Sequence, residues 1–147
     1  MTFENYDINP HGYHEIVLPV TDDTALVLVN DFFGGETDWT RRCRNVYYVD
    51  KDRRVIWQIR TEVDHLVNNP FREGPFIDLD KIELRHTKIE ARYAPWFNDF
   101  LVSLFSKMKP TDKKEDEPFL VEACRSDGGI FFINMQTGFA EQVGYYP

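Results

Sequence analysis

The sequence predicts a mainly β protein of the α+β kind: a meandering antiparallel sheet of hairpins with one amphipathic helix, at about 95–109, packed on it. Three observations predict it. A hairpin pattern occurs twice, at residues 45–59 and 129–143; two apolar runs flank a polar turn within 15–30; and residues 94–109 switch to helical spacing. With 147 residues the chain is expected to fold as a single domain over 1–147, because at this length roughly 68–70% of the unfolded surface can be buried. Twelve Phe, seven Tyr and three Trp favour broad sheet faces packed with large rings.

Residues 15–20 and 25–30 are apolar at nearly every position around Thr21-Asp22-Asp23-Thr24, as expected of central strands covered on both faces. Pro19 lacks a donor and moves its own strand toward an edge or bulge. Residues 31–44 read as a loop, where Gly34-Gly35 permits positive φ and Phe32, Phe33 and Trp39 either plug the core or contact a partner. In the first repeated hairpin a β-branched and aromatic run ends at Asp50 and resumes at Val55; in the second, the corresponding positions are Asn134 and Phe139. Between them, residues 60–74 are polar with one helical turn at Val63, Leu66 and Val67. Residues 76–80 and 82–93 alternate as strands, with Ile82, Leu84 and His86 on one face.

The helix carries Trp96, Phe97, Phe100, Leu101, Leu104, Phe105 and Met108 as one stripe, expected to be core, with Asn98, Asp99, Ser103, Ser106 and Lys107 opposite. Pro95 suits its first turn and Pro110 stops it. Residues 111–118 form a charged linker, 119–123 a strand, and 126–129 a turn.

The repeated hairpin, an apolar run, an Asp, a polar turn and a second run reaching Trp57, resembles a blade fragment of quinoprotein-type β-propellers, whose repeats read Y-x-x-D-x-x-x-G-x-x-x-W. Gly138 holds the turn-glycine position in the second copy; Arg54 stands there in the first, and Glu141 replaces the Trp in the second. The resemblance covers about thirty residues, and two hairpins cannot close a ring of four to eight blades. It implies a blade-like antiparallel meander and carries over no quinone cofactor.

A net charge of −8 and a pI near 4.9 oppose a surface built for phosphates or anionic lipid, so no direct nucleic-acid or membrane partner is expected. The first residues lack the basic and apolar regions of a secretory signal, and no run approaches the ~20 apolar residues of a membrane span. A cytoplasmic protein is expected. Cys43 and Cys124 are then free thiols, although strands could bring them together.

His11 and His14 have no third ligand nearby, His65 reads as surface and His86 as a core residue. Nucleophile elbows, phosphate loops, dinucleotide fingerprints and zinc-protease motifs are absent, so neither catalysis nor a metal or cofactor is expected. Arg41, Arg42 and Arg44, with Lys51, Arg53 and Arg54 in a hairpin turn, either bind phosphate or pair with neighbouring acids.

The composition points to a small protein-binding or inhibitory module. An immunity-like protein that blocks the active site of a basic toxin or nuclease domain fits the size and charge. Glu36, Asp38 and Trp39 in the loop are the first candidates for that surface, with Asp78 and Asp80, which fall two apart on one strand, next. Those two aspartates equally fit an edge strand guarded by charge. The rival is a small-ligand-binding or hydrolytic domain with an aromatic-lined pocket on the sheet, using His86 or the Asp78/Asp80 pair. A third reading is a piece of a larger assembly, if the aromatic stripe of the helix is exposed.

Overall fold

Apolar runs separated by short polar turns pair with their nearest neighbours first, and the computed structural model, which describes residues 5–31, 34–61, 74–83, 93–107 and 119–145, is built from such pairs. Strand β1 (His14–Pro19) pairs antiparallel with β2 (Thr24–Asn30), and β2 with β3 (Val46–Asp50). Strand β3 pairs with β4 (Val55–Gln58), giving a four-stranded sheet in the order β1-β2-β3-β4. Pro19 lies on an edge strand, and Val17 beside it is 54% exposed; burial on both faces, expected of both runs, holds only for the central β2.

After β4 the chain changes sheets without a turn. Ile59, only 1% exposed, still donates its N–H to Val46 O at 2.9 Å, whereas the Arg60 N–H goes to Gly138 O at 3.0 Å. Arg60–Thr61 is thus β5, parallel to β9 (Phe139–Tyr145). The second sheet has the order β5-β9-β8-β7-β6, with β6 at Phe76–Glu83, β7 at Phe119–Arg125 and β8 at Gly129–Ile133, all antiparallel apart from β5. The hairpins therefore divide between two sheets, and neither closes into a barrel or propeller.

The two sheets face each other across one core, in which Leu26, Leu28, Val46 and Trp57 meet Phe76, Leu79, Val121, Phe131 and Ile133. The outer face of the first sheet, Val27, Val29, Tyr47 and Val49, is covered by the N-terminal segment through Ile8, Tyr6 and Tyr13. The outer face of the second sheet, Ile130, Phe132 and Val143, is covered by Tyr93 and helix α2 (Pro95–Lys107) through Phe97 and Leu101.

Asn45, 1% exposed, ties the layers together. Its Nδ2 donates to Val29 O (2.9 Å) and Phe76 O (2.8 Å), and its Oδ1 accepts from Phe76 N (3.0 Å). One side chain thereby satisfies the backbone beside the irregularity at residues 76–78 of β6 and holds it to β2.

The repeated hairpins turn on one device. Asp50 Oδ1 accepts from the N–H groups of Asp52 and Arg54, both at 2.9 Å, and Asn134 Oδ1 from Gln136 N at 2.9 Å. Each turn then needs a left-handed residue, supplied by Arg53 (φ 62°) in the first and Gly138 (φ 78°) in the second. The second turn is one residue longer, and it lays Gly138 against the Trp57 ring.

Candidate functional site

The helix positions the most distinctive surface of the molecule. Pro95 occupies the first helical position, where a missing N–H costs nothing, and the N–H of Ala94 just before it donates to Val143 O at 2.7 Å, pinning the start of α2 to β9. Phe97 and Leu101, four apart, turn onto the sheet and are buried. Trp96 and Phe100, also four apart but rotated away, remain 48% and 47% exposed. The expectation of a wholly buried stripe is thus corrected. At about 100° per residue, positions 96 to 108 fan over about 180°, wider than one flat sheet can cover.

Between the helix and β8–β9 lies a groove of about 290 Å³. Its walls include Trp96, Phe97 and Phe100 of the helix, with Phe132, Phe139 and Glu141 of the sheet. Phe97 packs on Phe132 with ring centroids 4.6 Å apart, and Trp96 meets Phe97 edge-on at 5.7 Å. Glu141 stands directly across the β8–β9 ladder from Phe132 and is exposed. Among the described residues its carboxylate has neither an ion-pair nor a hydrogen-bond partner.

The residues singled out in the sequence lie elsewhere. The loop contains a short helix, α1 (Trp39–Cys43), with Asp38 as its N-cap, accepting from Thr40 N at 2.9 Å and Arg41 N at 3.4 Å. Glu36 accepts from Asp38 N at 3.0 Å and gives its own N–H to Asp31 Oδ2 at 2.9 Å. Burial, then the carboxylates of Glu36 and Asp31, push the Tyr13 phenol above its ordinary value. The loop is therefore held against the N-terminal segment, its carboxylates engaged with its own backbone. Asp78 and Asp80 are exposed on the edge strand β6, opposite Cys124 and Glu122 of β7. That placement fits the charge-guarded edge. His65, His86, Phe32 and Phe33 lie outside the described residues.

Other polar groups are used structurally. Arg53 pairs bidentately with Glu15 at 2.9 and 3.0 Å, which lowers the Glu15 carboxyl below its usual range chiefly through the Arg53 hydrogen bonds. The Arg41 guanidinium lies 4.5 Å over the Tyr6 ring. A second, polar cleft of about 810 Å³ is lined by residues 5–8 and 52–55, with both charge signs. Cys43 and Cys124 form no disulfide; the first is buried and the second half-buried.

Glu122, 4% exposed, was not evident from the sequence; Tyr93 Oη donates to it at 3.2 Å, and Cys124 Sγ lies 3.7 Å away. Among the described residues no three His, Cys, Asp or Glu side chains are arranged to hold a metal, and no helix is long and apolar enough to cross a membrane. Comparison with known proteins adds no relative: no protein-family model, no curated protein and no solved structure matches this chain.

Proposed function

We propose that this chain is a stoichiometric protein-binding module, of the immunity-protein kind, that neutralises a basic toxin or nuclease domain by covering its active site. The observation that carries this reading is the pair Trp96 and Phe100, each about half exposed beside an open aromatic groove. Large aromatics at the rim of a groove are the side chains that dominate binding energy in protein interfaces. The net charge of −8 supplies attraction toward a basic partner, and the exposed Asp78 and Asp80 add to it. Glu36 and Asp38, engaged as turn and cap residues, and Trp39 beside them then belong to the periphery of the contact, with the anchor on the helix.

The test is affinity capture from the source cell with the wild-type chain and with the double variant Trp96→Ser, Phe100→Ser, at low and high salt. One basic protein retained in near-equal amount by wild type, and at least about 30-fold more weakly by the variant, is the expected result, since an anchoring aromatic contributes about 2 kcal/mol or more. Equal retention by both removes the helix from the interface. Both side chains are half exposed, so circular dichroism should show the variant folded with a melting point close to wild type.

A further inference from the structure

We infer that the groove between α2 and β8–β9 is a receptor for a guanidinium, the arginine side chain of a basic partner protein. The inference deepens the binding reading above and rests on it. Five of the ten lining residues among those described are aromatic, Trp96, Phe97, Phe100, Phe132 and Phe139. Among the described residues the lining holds one charged group, Glu141, and it is negative. Aromatic faces attract a cation through their quadrupole, and a planar guanidinium both stacks on a ring and pairs with a carboxylate through its fork of N–H donors. Glu141 is suited to the second task, because its carboxylate is exposed and has no partner among the described residues.

Directly opposed residues in an antiparallel ladder place their Cβ atoms about 5 Å apart, so Glu141 leaves the sheet on the same face as Phe132, at the groove. A groove of 290 Å³ equals about ten waters of liquid volume, room for an extended side chain. A neutral apolar occupant would use the rings but leave the carboxylate desolvated and unpaired.

The probes are N-acetyl-arginine-methylamide and its citrulline counterpart, the same shape without the charge, titrated into the full chain and followed by the indole and aromatic resonances of the groove. The arginine compound should shift the Trp96 indole signal and bind at least about tenfold more tightly than the citrulline compound. Glu141→Gln should remove most of that preference while leaving the fold unchanged.

Equal binding of the two probes, or arginine-specific shifts confined to residues outside the groove, overturns the inference. Failure here is separable from failure of the binding reading. If the probes bind equally while partner capture still depends on Trp96 and Phe100, the anchor is apolar and the module remains a binder. If arginine is preferred but capture is insensitive to those side chains, the pocket recognises a free cationic ligand and the partner-derived source is wrong.

Discussion

Replacing Gly138 by alanine tests how the two sheets are locked together. The glycine sits at φ 78°, a left-handed conformation that costs an L-residue about 1–2 kcal/mol. An added Cβ would lie 2.6 Å from Trp57 Cε3 and 2.7 Å from Cδ2, closer than any real contact. The ring cannot slide freely, being 7% exposed and fixed by its own Nε1 donating to Met135 O at 2.8 Å. Overpacking of this kind adds about 1–3 kcal/mol, and the stiffer unfolded chain returns about 0.4–1 kcal/mol. The net loss is about 1–5 kcal/mol, which at a urea slope near 2 kcal/mol per molar lowers the unfolding midpoint by about 0.5–2.5 M. Urea titration followed by far-ultraviolet circular dichroism reads it directly. In a Trp57→Leu background the packing part disappears, so the same substitution should cost about 1 kcal/mol, a coupling that only direct contact produces. A midpoint within about 0.2 M of wild type, or a cost unchanged by Trp57→Leu, would show that the turn does not press on the ring.

Two further perturbations have signs set by the geometry. Asn45→Ala leaves Val29 O, Phe76 O and Phe76 N without their buried partner and should cost about 2–4 kcal/mol in the same titration; a loss below about 0.5 kcal/mol would mean that water replaces the bridge. Asp127 is pushed up by burial but held below the usual carboxylate range by Arg125, whose Nη2 lies 2.7 Å from its Oδ2, and by Gly129 N at 3.0 Å. Because the folded carboxyl is the stronger acid, its contribution is present above the unfolded value near 3.9 and is lost as pH falls through the folded one. Asp127→Asn should therefore cost about 1–2 kcal/mol at pH 7 and progressively less below about pH 4, whereas a gap independent of pH refutes the ionic account.

What could be read from the sequence was local. The hairpins around Thr21–Thr24, Asp50 and Asn134 depend on neighbouring residues, and each formed where the turn chemistry put it. The division into two sheets was not legible, because it depends on where Ile59 and Arg60 find their partners, Val46 in one sheet and Gly138 in the other. Asp38 is expected from the sequence as a partner-facing carboxylate, although Asp is also a preferred N-cap residue; a helix of five residues has too little periodicity to show itself. The groove was half visible. Trp96 and Phe100 are legible as members of the helical stripe, but the stripe is expected to be core, Phe139 and Glu141 join them only after β9 lies under the helix, and the one available signal is a stripe too broad for a single sheet face.

The strand that leaves one sheet and enters the other makes the chain a poor candidate for folding by halves. Arg60 pairs with Phe139, 79 residues later, and the inner face of the first sheet, with Leu26, Leu28 and Trp57, meets only Phe76 and Leu79 of β6 until β7, β8 and β9 are made. A nascent chain that stops before residue 119 therefore lacks Val121, Ala123, Phe131 and Ile133, most of the facing half of that core. Pairings this distant close slowly, on the millisecond to second scale typical of sandwiches, and once closed they oblige both sheets to melt together.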